Sequence, residues 1–327
     1  MSRQTIAQAL HSALDEEMGR DRSVFTLGEE VGPNGLYGVT VGLAEKYGTE
    51  RVIATPISEA GFVGMAVGAA MRGMRPVVEL MNIDFIGVCM DQIMNQAAKL
   101  CYMTGGQVSI PLVLRITQGS GRRNAGQHSQ CLESLLTHIP GLKVVAPVTA
   151  YDAKGMLLSA IRDPDPVVFL EHKLIYDIAD EVPEGDYIVP FGKAEVRREG
   201  EDVTVLAWSR QVVYALAAAD ILAAEYGIRA EVIDLKSLVP LDFATIEHSV
   251  RKTGRAIIAE ECVNRGGYGA EITAQLQEAL FGLLKAPVRR VSAKNCVPPF
   301  AHMLEDAFFP HPEDIVQAAR SFFHNTD

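Results

Sequence analysis

Three stretches of the 327-residue chain carry side chains able to do chemistry. The first is Glu59 in "TPISEAGF", between an apolar strand ending at Thr55 and a helix of small residues that includes Gly61, Gly64 and Gly68. Ligands of open α/β sheets bind beyond the carboxyl ends of the strands. A carboxylate there, flanked by Ile57 and Phe62, is expected to be partly desolvated, which raises its pKa and suits it to proton transfer. A plainer use also exists: a first-turn acid complements the helix dipole, with Ser58 as N-cap. Taken alone, Glu59 fits that plainer use better. The second stretch is "TQGSGRRNAGQHSQ", residues 117–130, a loop rich in Gly, Arg, Asn and Gln. His128 is its only group titrating near neutrality, so it could act as general acid or base, although most lone loop histidines are simply solvated. Arg122 and Arg123 could attract an anion or merely keep the loop soluble. The third is "MNIDFIG", residues 81–87, where Met81 and Phe85 offer a soft apolar surface for a flat ring or, equally, for the core.

These stretches need a scaffold, and the pattern of the chain supplies one. Short apolar, β-branched runs ("SVFTLG", "RVIAT", "RPVVELM", "PLVLRIT", "LKVVAP", "PVVFLEH") alternate with segments of helical period. Such alternation predicts parallel strands joined by helical crossovers, with the sheet covered on both faces. An acidic, proline-bearing stretch without period, residues 173–190, reads as a linker. Beyond it a second series runs through "VTVLAWS", a helix over 211–225, "AEVIDL", a helix over 242–252, "RAIIAEE", a helix over 269–284, "VRRVSA" and a last helix from His311. The expectation is an α/β protein of two domains, 1–185 and 190–327. The several glycines after Glu59 imply a close neighbour for their helix, either core or another subunit.

Composition narrows the function classes. Hydrophobic residues make up 48 % of the chain, enough for packed cores. The net charge of −11 disfavours nucleic acid as a partner. No apolar run reaches a membrane-spanning length and no export signal is visible, so a cytoplasmic protein is expected. The five cysteines are scattered and never spaced C-x-x-C, which argues against a disulfide framework or structural zinc. Dinucleotide, P-loop and nucleophile-elbow motifs are missing. "GGYGAEI" (266–272) could hold an anion on free amides, but a tight, closely packed turn is the simpler reading.

Taken together and in order, "TPISEAGF", "DQIMNQAAK", "GQHSQ", "PGLKVVAP", "IRDPDPVVFLEHKLIY" and "VPLDFATIEHSVRKTGR" resemble the β subunits of thiamine diphosphate-dependent 2-oxo acid dehydrogenases. The likeness covers nearly the whole chain. "DFIGVCMDQIMNQAAKLCYMTGGQ", "FLEHKL" and "RGGYGAEI" look most like the acetoin dehydrogenase branch, with pyruvate dehydrogenase a close second. The resemblance implies two doubly wound domains of transketolase type, a pyrimidine-binding domain and a transketolase C-terminal-like domain. It implies that Glu59 hydrogen-bonds the cofactor's aminopyrimidine and favours its imino form, which then deprotonates the thiazolium carbon. Met81 and Phe85 would line the pyrimidine pocket, and His128 would move protons during substrate addition or acyl transfer to lipoamide. A potassium site would fall on Leu112, Ala160, Ile161, Asp163 and Asp165, mostly through carbonyls.

The family's Gly-Asp-Gly…Asn segment for magnesium and diphosphate has no counterpart here, the nearest being Gly185-Asp186-Tyr187. The resemblance therefore implies an α subunit carrying that half, in an α2β2 assembly with active sites at α–β interfaces. The second domain would dock a lipoyl-bearing acyltransferase. In "AKNCVPPFA" (293–301), however, Asn295 stands where the family usually has an acid, which puts that contact in doubt. Two rivals stand beside this expectation: a split transketolase, and a non-catalytic scaffold subunit.

Overall fold

Helix starts in this chain are written in short polar side chains. Thr5 and Gln8 form a capping box, Thr149 accepts from the Asp152 amide, and Asp242 accepts from the Thr245 amide. The structure, a computed structural model, describes residues 1–32 and 35–323. In chain order its first elements are β1 (Ser2–Thr5), α1 (Ile6–Arg20), β2 (Val24–Gly28), α2 (Leu43–Tyr47), β3 (Val52–Ala54), α3 (Glu59–Met71) and β4 (Arg75–Leu80). A 3-10 segment, Ile83–Cys89, and a π-helical segment, Gln92–Ala97, follow. Next come α4 (Leu100–Met103), β5 (Val113–Gln118), α5 (Glu133–Thr137), β6 (Lys143–Val145), α6 (Ala150–Arg162), β7 (Val167–His172) and β8 (Ala179–Val182). The rest comprises β9 (Glu195–Arg198), β10 (Val203–Ala207), α7 (Arg210–Tyr226), β11 (Ala230–Asp234), β12 (Ser237–Val239), α8 (Phe243–Thr253), β13 (Ala256–Val263), α9 (Tyr268–Leu280), β14 (Arg289–Ala293), α10 (His302–Asp306) and α11 (Pro312–Arg320).

The chain forms two units. One comprises 1–118 and 135–191, the other 119–134 and 192–327. In the first, parallel strands run in the order β6-β7-β5-β4-β2-β3. Every residue of β2, β5 and β7 is buried, as befits strands covered on both faces. In the second, the order is β14-β13-β10-β11-β9, with β9 alone antiparallel. Among the described residues, no helix is long and apolar enough to cross a membrane.

Two features depart from the sequence reading. The stretch 173–190, expected to be a linker, lies within the first unit, and its strand β8 pairs antiparallel with β1. The two strands are short, polar and nearly the whole unit apart in sequence, so neither shows an apolar pattern. The loop 119–134 departs further: although flanked by first-unit strands, it groups with the second unit.

Candidate active site

β3 ends at Ala54 and α3 begins at Glu59, so four residues turn the chain at the carboxyl edge of the sheet. Glu59 is only 6 % exposed. Ser58 makes no side-chain cap, so the plain helix-start reading loses its second half. Phe62 is buried beside it in the helix, as expected, but Ile57 is 83 % exposed and does not flank the carboxyl. Burial comes instead from elements that the sequence reading did not connect to it. Glu29, just past β2, lies against Glu59: burial first, then the Glu59 charge and a shared hydrogen bond, push the Glu29 carboxyl up to about 7. The Cys89 thiol, fully buried, is pushed up to about 12 by burial and then by the Glu59 charge, which places it in the same surroundings. Glu29 Oε1 and Thr55 Oγ1 are buried and find no hydrogen-bond partner among the described residues. Orphaned polar atoms beside two neighbouring acids are what a site for a polar heterocycle needs.

Met81 and Phe85 sit where β4 gives way to the 3-10 segment. Thr117 Oγ1 donates to the Met81 carbonyl, and the Phe85 amide donates to the Asn82 carbonyl at 3.0 Å. Both side chains are half-buried, whereas their neighbours Ile83 and Ile86 are core.

Behind these residues runs a buried charge network. Arg115 on β5 donates to Glu171 on β7 at 2.7 and 2.8 Å and to Glu79 on β4 at 2.9 Å. The Tyr176 hydroxyl donates to Glu171 at 2.5 Å. Burial, ahead of the opposing Arg115 charge, pushes Glu79 up to about 7. The signal was available: an Arg and two Glu interrupt three runs otherwise apolar enough to be central strands.

His128 is half-buried, its amide donating to the Ala125 carbonyl at 3.5 Å. Its loop closes on itself through Gly119 N to Gln130 O at 3.1 Å and Ser120 Oγ to Ser129 O at 2.7 Å. Amides of the loop that could have held an external anion are met internally. Ser120 N donates to Glu261 at 2.8 Å, and Gly121 N and Arg123 N donate to Glu305 at 2.9 and 3.0 Å. The "GGYGAEI" turn is filled likewise: Gly269 N donates to Glu260 at 2.9 Å, whose other oxygen accepts from Arg290 and Ser292. The simpler reading of that turn is the correct one.

The residues matched to a potassium site are already engaged. The Leu112 carbonyl accepts from Val167 N at 2.9 Å and the Ala160 carbonyl from Asp163 N at 3.3 Å. Arg75 donates to the Ile161 carbonyl at 2.8 Å, and Lys143 neutralises Asp163 and Asp165 at 2.7 and 3.0 Å. The carbonyls keep a second lone pair for a cation, and the two carboxylates already share Lys143. Asp186, the nearest relic of a magnesium segment, pairs with Arg162 at 2.7 Å.

The transketolase pyrimidine-binding domain matches residues 2–178 and the transketolase C-terminal domain matches 192–315. The chain is 51 % identical over 321 residues to the pyruvate dehydrogenase E1 component subunit beta-2, mitochondrial, of Oryza sativa subsp. japonica, covering 97 % of this chain and 85 % of the relative. It is 48 % identical over 327 residues to the acetoin:2,6-dichlorophenolindophenol oxidoreductase subunit beta of Cupriavidus necator, covering 97 % and 96 %. The expectation that acetoin dehydrogenase stands nearest is therefore not supported. A split-gene transketolase, described as an inactive beta4 tetramer, shares the fold with a TM-score of 0.76 at 24 % identity, covering 97 % of each chain. The buried acid beyond β3, the two matched domains and the extent of these identities make one conclusion: the chain belongs to the family of E1 β subunits of thiamine diphosphate-dependent dehydrogenases.

Proposed function

We propose that this chain is the β half of a pyruvate-cleaving dehydrogenase component that passes the acetyl unit to lipoamide. The observation that carries the reading is Glu59, buried at the carboxyl edge of the sheet against Glu29, whose carboxyl is pushed up to about 7 first by burial and then by the Glu59 charge. Thiamine diphosphate, when bound, supplies an electron sink for breaking the carbon–carbon bond. Glu59 would meet the pyrimidine end of that cofactor and hold or release a proton at its carboxyl. Glu29, its carboxyl raised to about 7 by burial and the Glu59 charge, would hold a proton beside Glu59 near neutral pH. Met81 and Phe85 would give the ring an apolar surface, and His128 would serve as a proton donor and acceptor toward substrate or acyl acceptor.

An α subunit would hold magnesium and the diphosphate, in an α2β2 assembly. Asp186 is committed to Arg162, which leaves this chain's nearest magnesium-like segment engaged elsewhere. A partner also suits the surface. Ile57 before α3, Met65 on it and Val88 on the 3-10 segment packed against it are exposed, and a Cβ built on Gly68 would meet no atom within 4 Å. Gly68 is not explained by packing among the described residues of this chain. Potassium, if bound, would rest on the backbone carbonyls of 112, 160 and 161. Docking of a lipoyl-bearing acyltransferase would lack the usual acid, since Asn295 Oδ1 accepts from the Arg265 amide at 2.9 Å.

Acetoin cleavage is the second reading, favoured by a relative of that activity that matches along 96 % of its length. The sugar-phosphate chemistry of a transketolase is less well supported, because internal carboxylates fill the loop amides beside Arg122 and Arg123. The test is a substrate panel. The α–β pair, with thiamine diphosphate, magnesium and an artificial electron acceptor, should turn over pyruvate at least about tenfold better in kcat/KM than acetoin, a difference of about 1.4 kcal/mol. Preference for acetoin would install the second reading, and ketol transfer between sugars would overturn both.

A further inference from the structure

The loop that carries His128 is held in a conformation its own residues resist. Arg123 and Ala125 both lie in the left-handed region, at φ 58° and 60°, although neither is glycine. Such backbone persists only where surrounding structure over-determines it. Within the second unit one side chain does most of this. Glu305, on α10 and only 3 % exposed, accepts from Gly121 N at 2.9 Å and from Arg123 N at 3.0 Å. Successive amides converging on one carboxylate form an anion nest, here filled by the protein itself. A second contact comes from the chain just before α10: a Cβ on Gly126 would lie 2.5 Å from Val297 Cγ1. The span between these anchors ends two residues short of His128.

We propose that Glu305 is a positioning residue for catalysis, clamping the strained 121–126 backbone so that His128 is presented in one orientation. The inference rests on the reading of His128 as a proton-transfer group. Losing the carboxylate leaves two amides unmet and lets Arg123 and Ala125 relax to ordinary backbone, which displaces His128. A displacement of about 1 Å at a proton-transfer group costs up to roughly a hundredfold in rate.

The test is a double-mutant cycle in the assembled α–β complex. Glu305→Ala should lower kcat by roughly ten- to a hundredfold, with KM nearly unchanged. Glu305→Gln should recover part of the loss, because one oxygen can still accept from both amides. The double variant Glu305→Ala/His128→Ala should be no slower than His128→Ala alone. Hydrogen exchange should quicken at residues 119–128 and stay unchanged at β10 and β13. If Glu305→Ala fails to assemble, Glu305→Gln in the same cycle gives the same readout with a smaller loss. Multiplicative losses in the double variant would overturn the inference, because Glu305 would then act independently of His128. A slow His128→Ala beside a normal Glu305→Ala would also overturn it while sparing the reading of His128. A fully active His128→Ala would remove that reading and the inference with it.

Discussion

Each unit buries a glutamate beside the start of a helix, Glu59 as the first residue of α3 and Glu260 within β13 against the first turn of α9, and the two are treated in opposite ways. In the second unit, Glu260 is completely buried and completely answered. Gly269 N, Arg290, Ser292 and the Cys262 thiol all donate to it at the start of α9. In the first unit, Glu59 at the start of α3 faces another acid, and orphaned atoms on Glu29 and Thr55 lie buried nearby. Burial beside a helix start is common to both, so it does not by itself mark a site. What distinguishes Glu59 is that the acid beside it, Glu29, and Thr55 keep buried atoms without partners among the described residues, a cost that binding of something else would remove.

The comparison can be broken most sharply at Arg115, which answers the acids of the first unit's own sheet. Arg115→Met strands Glu79 and Glu171 and should cost about 3–5 kcal/mol of stability by denaturant unfolding. A neutral result would mean that these acids, like the Glu59 pair, are unmet by design. The next largest effect belongs to Glu260→Ala, expected to cost about 2–3 kcal/mol while leaving kcat per folded complex within about twofold. A large loss of kcat would make that acid functional and erase the contrast. Gly267→Ala tests the closeness of the second unit's turn. Its Cβ would fall 2.7 Å from Cys262 Sγ and 2.8 Å from Glu260 Oε2, a clash worth about 1–3 kcal/mol.

The smallest effect is one of pH. Burial, only partly opposed by backbone and Trp208 hydrogen bonds, pushes Glu133 up from 4.5 to about 7. The folded state therefore binds the Glu133 proton more tightly than the unfolded chain does. The stabilisation is whole below about pH 4.5 and is lost as pH rises through about 7. Glu133→Gln should flatten that decline in melting temperature and gain most over the parent above pH 7.

How much of this the sequence could show depends on the range of the interactions. β2, β4, β5, β7, β10 and β13 were legible because burial on both faces writes itself as mostly apolar runs, broken in β4, β5, β7 and β13 by buried Glu or Arg. β1 and β8 were not, since "SRQT" and "ADEV" are polar and find each other across most of a unit. Glu59 stood out because a strand end and a small-residue helix bracket it, yet Glu29, in "LGEEVG", looks like any solvated acid after a strand. Its neighbour in space is 30 residues away, and periodicity cannot report that. Similarly, nothing local in "TQGSGRRNAGQHSQ" tells that Glu261 and Glu305, more than 130 residues downstream, will take its amides. Ile57 shows the same limit: an apolar side chain two residues from a buried acid is itself 83 % exposed.

The central claim is that Glu59 is kept for proton transfer to a cofactor gripped elsewhere by a companion chain. Glu59→Gln in the α–β complex, followed by calorimetric titration with thiamine diphosphate and by turnover, tests it most directly. The account predicts cofactor binding within about tenfold of the parent and turnover reduced by roughly 10²–10⁴-fold. A Glu59→Gln complex that binds the cofactor and turns over at the parental rate would contradict it.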